Sequence, residues 1–303
     1  MLGVRSFELE IAQFRSALCT DRPWIQLLAT LDDHHCSDGY SWPPIEVWRG
    51  VCSNWYQQGI DAVQTFNWGV ASAATATRLG VQTHGAYFDG TRQIPVYQQA
   101  YHELGDPNVL APLDKHFVVQ RRGGGGSGGA GVDEWRTPRA SYANTNLLGQ
   151  LPAELDPLGH VDTLLKLRVA DDFRDGAEVG TLAVFMLLSK EEGSDAAGEE
   201  DASQAMSQVV DINSFWDRPG TQTNPFSLDI CGQVRLHVNG VRIDATAEHC
   251  DGWLRIDCLG QRGAWAVGEN LLSIVLEGGC AHRLSLQKAE LRVTYAAAAT
   301  PRL

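Results

Sequence analysis

The stretch Ile45–Gln58, IEVWRGVCSNWYQQ, places Ile45, Trp48, Val51, Cys52 and Trp55 at helical spacing behind Pro43 and Pro44, and Gly59 ends it. This pattern predicts one amphipathic helix with Trp48 and Trp55 packed on its apolar face. Outward on either side lie two short β-rich runs, Trp24–Leu31 (WIQLLATL) and Asp61–Trp68 (DAVQTFNW). The order strand, loop, helix, strand favours a parallel sheet with a crossover helix, whose functional loops leave the carboxyl ends of the strands. That singles out Asp32–Trp42 after the first strand and Asn67–Trp68 at the end of the second.

Further along, Gly123–Gly131 (GGGGSGGAG) breaks the composition, and a run of Gly, Ser and Ala behaves as a flexible coil, either a linker or a long surface loop. Beyond it the hydrophobic period changes to two. Candidate strands are Val161–Val169, Val179–Leu188, Val234–Val238, Val241–Ile243, Trp253–Cys258, Leu271–Leu276 and Leu284–Tyr295, with Asn239-Gly240 as a hairpin turn. Many short strands without helical interludes predict a β-sandwich or jelly roll. Between them, residues 190–208 are acidic and almost free of large apolar side chains, which reads as a disordered loop.

The expected organisation is therefore α/β plus all-β. Residues 1–120 form part of a (β/α) TIM-type barrel, 121–135 a Gly-rich linker or loop, and 136–303 a jelly-roll-like β-sandwich. A formal charge of −13 repels polyanions, so nucleic acid is not an expected partner. No run approaches the length of a membrane span, and Arg5, Glu8 and Glu10 interrupt the opening where a signal peptide needs an apolar stretch. As written, the chain reads as cytoplasmic; a truncated start would leave export open. Seven cysteines without CxxC pairs read as mostly reduced, with a Cys250–Cys258 bridge as the alternative for an exported protein.

The densest polar cluster is Asp32-Asp33-His34-His35-Cys36, followed by Asp38, Tyr40 and Trp42. Four readings compete for it. Metal binding has the right ligand types, but adjacent residues rarely converge on one ion. The letters of Asp33–Cys36 match the Asp-His-His-Cys string of protein acyltransferases, without that family's membrane helices or zinc framework. Glycosidic chemistry would use Asp32 or Asp33 as a strand-end carboxylate, opposite a second carboxyl about 5 to 9.5 Å away. Neighbouring strand residues point to opposite faces, so the second carboxyl must come from another strand. The plainest alternative is a loop that hydrogen-bonds itself and caps the next helix. Asn67 and Trp68 are open in the same way between sugar contact and core packing. There is no GxGxxG, Walker loop, GxSxG or HExxH, so no cofactor is expected.

Several motifs resemble a family. Asp32–Tyr40 (DDHHCSDGY), Pro44–Trp68, with Asn54-Trp55-Tyr56, Gly59-Ile60-Asp61-Ala62 and Phe66-Asn67, and Leu104–Val119, with Leu104-Gly105-Asp106-Pro107 and Asp114-Lys115, are similar to the late part of glycoside-hydrolase-like (β/α)8-barrel proteins. Val238-Asn239-Gly240-Val241 and Gly268-Glu269-Asn270 resemble galactose-binding-like jelly-roll modules attached to glycosidases. The resemblance implies a carbohydrate ligand, with Asp33 or Asp32 as the catalytic carboxylate and His35, Tyr40, Trp42, Asn67 and Trp68 lining the sugar site. A full barrel takes about 250 residues, whereas only about 70 precede the apparent last strand. The early strands, and the acid/base carboxyl that retaining barrel glycosidases carry on the fourth, are thus expected to be missing. The chain is then inactive, or a piece of a longer protein, or completed by a second copy, since open strand edges favour association. The rival expectation is a non-catalytic carbohydrate-binding or interaction protein that uses the β-sandwich.

Overall fold

A computed structural model of the chain describes residues 7–32, 44–66, 96–120, 148–174, 178–190, 230–278, 280 and 283–296. It is a mixed helix-and-sheet protein in which most strands are antiparallel.

The predicted helix forms as α2 (Ile45–Gln57), after α1 (Ile11–Cys19) and β1 (Leu28–Asp32) and before β2 (Ala62–Phe66). β1 and β2 pair in parallel, from Leu28 opposite Ala62 to Asp32 opposite Phe66. Ala29, Thr30 and Leu31 are all buried, as befits a parallel strand covered on both faces. The first strand starts later than its apolar run because the backbone N–H of Ile25 closes a turn onto the carbonyl of Arg22, leaving Trp24 largely exposed. Trp48 and Trp55 pack as expected, each 1 % exposed; Phe7 meets Trp48 edge-on at 5.4 Å and accepts the Trp55 indole N–H on its carbonyl at 2.9 Å. Among the described residues the parallel sheet has these two strands alone and no barrel closes.

Two further helices follow, α3 (Val96–Glu103) and α4 (Pro107–Leu110), then the strands β3 (Lys115–Val118), β4 (Ala153–Leu155), β5 (Thr163–Val169), β6 (Val179–Lys190), β7 (Val234–Val238), β8 (Val241–Arg242), β9 (Glu248–Cys250), β10 (Trp253–Asp257), β11 (Gly268–Leu276) and β12 (Leu284–Tyr295). One sheet has the order β3-β12-β6-β10-β9, with β4 also on β12; the other runs β5-β11-β7-β8. Both supply one continuous apolar core, from Leu165, Leu236 and Ile274 on one sheet to Val184, Ile256 and Leu291 on the other. β5 begins at Thr163 rather than Val161 because the Asp156 carboxylate accepts the backbone N–H of Leu158, His160 and Val161 and holds them in a turn. Cys250 and Cys258 are not bridged: the hairpin register sets Cys250 against Trp253, which leaves Cys258 well up the far strand, buried in the core.

β3 alternates between two cores. Phe117 belongs to the sandwich core, and the next residue, Val118, belongs to the core around α2. The strand that precedes the glycine run is therefore part of the sandwich sheet, and the expected division at residue 120 falls within one packed edge. The glycine run itself lies in 121–147, outside the described residues. The described residues on either side of that segment meet: the backbone N–H groups of Gln150 and Leu151 both donate to the carbonyl of Gln120, the first at 2.8 Å. β3 pairs with Glu290–Val293 and β4 with Leu284–Leu286, in the same direction along one side of β12. The two are halves of one interrupted strand, and residues 121–149 leave and rejoin it at a single point.

The acidic stretch also falls outside the described residues beyond β6, whose strand extends to Lys190. Among the described residues no helix is long and apolar enough to cross a membrane.

Candidate functional site

The parallel pair has two ends with different chemistry. At the amino end, Asp61 ties the strands shut: its Oδ2 accepts the Leu27 backbone N–H at 2.7 Å and the Arg15 guanidinium at 2.6 Å, and its own N–H donates to the Leu27 carbonyl. The backbone bond from Leu27, then Arg15, holds the Asp61 carboxyl below the usual carboxylate range. Gly59, at φ +100°, makes the preceding turn that few other residues would adopt.

The carboxyl end is where the two strands hand over to the segments that hold the expected site residues in the sequence. Asp32 stands opposite Phe66 in the register. Asp33 and Asn67 are the next residues of adjacent parallel strands, so the segments carrying His35, Tyr40 and Trp42, and Trp68, leave from the same edge. Asp33, His35, Tyr40, Trp42, Asn67 and Trp68 themselves lie outside the described residues. On the described part, Thr30 is 1 % exposed, and its hydroxyl has no hydrogen-bond partner. On β2, the Thr65 hydroxyl and the Tyr101 phenol of α3 are 3.1 Å apart. Neither Thr65 nor Tyr101 was expected from the sequence, where Tyr101 sits in a polar stretch, VYQQAYHE, without a strong period.

α3 is fixed in place by α2. Arg49, 7 % exposed, makes a two-pronged pair with Glu103 at 2.8 and 3.0 Å and donates to the carbonyl of Asp114. Several of the motif residues quoted above work in this frame. Asn54 donates to the carbonyl of Arg168 on β5, Trp55 to that of Phe7, and Tyr56 to that of Leu104 at 3.1 Å, three neighbours bonding three separate parts of the chain. Burial pushes the Tyr56 phenol up to about 12. Asp106 caps α4 through the Asn108 N–H, and Asp114 accepts the Tyr295 N–H at 2.9 Å.

A second polar cluster lies where β3 meets the sandwich. Lys115, wholly buried, donates to Asp171 and to the Ala111 carbonyl, both at 2.9 Å, and its ammonium lies 4.8 Å from the centre of the Tyr295 ring. The Tyr295 hydroxyl donates to the same Asp171 carboxylate. Burial pulls the Lys115 ammonium below its ordinary range, against the opposing pull of Asp171. On the other face of β3, His116 sits 3.5 Å from Glu290, and burial lowers it to about 4, leaving a neutral imidazole at pH 7. Arg292 pairs with Glu290 at 2.8 Å and covers the rings of Phe185 and Trp253. Buried and internally bonded, these groups hold the seam; the carboxyl end of β1 and β2 is the better candidate site.

In the sandwich, the Gly268-Glu269-Asn270 motif is a turn lock. The Asn270 amide donates to the carbonyls of Ala266 and Gly268, and its oxygen accepts from Ala266 N–H and from the Asn239 amide. Asn239, with φ +51°, opens the hairpin that Asn239-Gly240 predicts. Among the described residues no three His, Cys, Asp or Glu side chains are grouped to hold a metal ion. Compared with known families and curated proteins, the chain matches no family model and no curated relative.

Proposed function

We propose that this chain handles carbohydrate at the carboxyl end of the β1–β2 pair, as a glycoside-hydrolase-like protein. Asp33 or Asp32 serves as the strand-end carboxylate, and His35, Tyr40, Trp42, Asn67 and Trp68 line the sugar. The observation that carries it is the register, which sets Asp32 opposite Phe66 and so starts both polar segments from one edge. Ligands of open parallel sheets bind at that edge. The order β1, α2, β2, with β1 and β2 parallel, is that of one repeat of a (β/α) barrel, which is the architecture the proposal assumes.

A glycan array probed with the labelled full chain tests the binding step, and hydrolysis of the bound glycans tests the catalytic one. Asp32→Asn with Asp33→Asn should abolish turnover; undiminished turnover refutes the assignment. The second reading, a sandwich that binds sugar without catalysis, draws on the two-sheet core. Deleting residues 1–120 is the wrong way to test it, because that cut strips β3 from β12. The sound discriminator is Trp42→Ala with Trp68→Ala, which keeps binding unchanged if the sandwich is the binding site.

A further inference from the structure

We infer that the Gln150 carboxamide guards the edge of β5 against strand addition by a second copy of this chain. Among the described residues β5 is an outer strand of the smaller sheet, laddered to β11 alone. Lys166 stands opposite Leu271 in that ladder. Leu271 turns both of its backbone groups the other way: its N–H donates to the Asn239 side-chain oxygen and its carbonyl accepts the Asn239 N–H. In an antiparallel ladder the two members of such a pair direct their groups away from each other, so Lys166 points its N–H and C=O out of the sheet. A row of such groups is a template for any extended chain that reaches it.

Gln150 fills that position as a neighbouring strand would. Its Oε1 accepts the Lys166 N–H at 2.6 Å, and its Nε2 donates to the Lys166 carbonyl at 2.8 Å. By the alternation of the ladder, Leu164 and Arg168 point their groups to the same edge. Asn54 of α2 takes the Arg168 carbonyl at 3.0 Å, which closes that end. No bond from a described residue covers the edge at Leu164. Leu158, Val161 and Leu164 are each more than half exposed, so the uncovered end is also apolar.

The strand kept out is β5 of a second copy, because β5 is self-complementary here. Laid antiparallel on its own image, with Leu164 of one copy against Lys166 of the other, it would exchange four N–H···O=C bonds. The same register keeps the two Lys166 ammonium groups from facing each other and sets an apolar side chain against each lysine stem. None of this pairing can form while the carboxamide holds Lys166.

Sedimentation of the full chain over about a hundredfold range of concentration tests the guard, with melting temperature measured in parallel. The mass of Gln150→Ala, divided by that of the parent, should rise from about one toward about two as concentration increases, with little change in melting temperature. Adding Lys166→Pro, which removes the outward N–H from the edge strand, should return the ratio to about one. Should the alanine variant fail to fold, Gln150→Leu, which keeps the length without the two bonds, must associate in the same way. A ratio of one throughout overturns the inference, and so does association that survives Lys166→Pro. Loss of the fold in both Gln150 variants would make the carboxamide a structural tie and overturns it equally.

Discussion

Gly50 of α2 lies against the backbone of His116 so closely that a Cβ at position 50 would stand 2.2 Å from the His116 carbonyl oxygen. The contact is helix backbone on strand backbone, and neither side has a flexible atom to yield. Gly50→Ala should therefore destabilise the chain by about 2 kcal/mol or more, despite the better helix propensity of alanine. Urea unfolding of the two proteins measures it.

Because the chain between Gln120 and Gln150 leaves and rejoins one interrupted strand, residues 122–147 should be removable. Joining Arg121 to Leu148 through a two-residue Asn-Gly link should leave the melting temperature within a few degrees of the parent, since the bonds from Gln150 and Leu151 to Gln120 remain. A linker between independently folded domains would tolerate lengthening equally well. Only a strand-interrupting excursion also tolerates near-complete excision.

His116 gives a pH dependence with a defined sign. Its folded value of about 4 lies below the ordinary 6.5, so between these values the unfolded chain holds a proton that the folded chain does not. Stability from this group is full above pH 6.5 and falls as pH drops toward 4, by up to about 3 kcal/mol. His116→Asn should flatten the stability profile across that window relative to the parent. An unchanged slope would show that the imidazole is not the group responsible.

Lys115 and Asp171 form a pair whose two members should respond unequally. Asp171→Ala leaves a buried ammonium beside the Tyr295 ring without its carboxylate and should cost about 3 kcal/mol. Lys115→Met removes the buried charge itself and should cost clearly less, leaving a carboxylate that is partly exposed. Denaturation of the two single variants and the double variant gives the coupling directly.

The sandwich strands were legible wherever one face meets the core and the other does not. β7 alternates buried and half-buried along VRLHV, and its bounds coincide with those predicted. β3 escapes the same logic because Phe117 and Val118 serve different cores, so adjacent residues are both apolar, and because Lys115 is buried through a partner distant in sequence. β4 and β9 are too short to show a period. α2 was legible because its apolar stripe is wide. α1 and α3 were not, since Phe14 and Leu18 of the first and Tyr101 of the second stay exposed and blur any apolar stripe. At the candidate site the sequence pointed to the strand ends; the Thr65–Tyr101 contact depends on how α3 is seated, which no local pattern encodes.

The place of β12 bears on how the protein is made. It stands between β6 on one side and β3 with β4 on the other, joining residues 284–295 to partners from 179–190, 115–118 and 153–155. A ribosome adding about 5–20 residues per second needs roughly 5 to 20 s to travel from the end of β6 to the end of β12. Throughout that interval the nascent chain carries β3, β4 and β6 with their common neighbour still unmade. The larger sheet must therefore be completed late and over long sequence separations, which makes folding slow and the emerging chain a natural client for chaperones that shield unpaired strands.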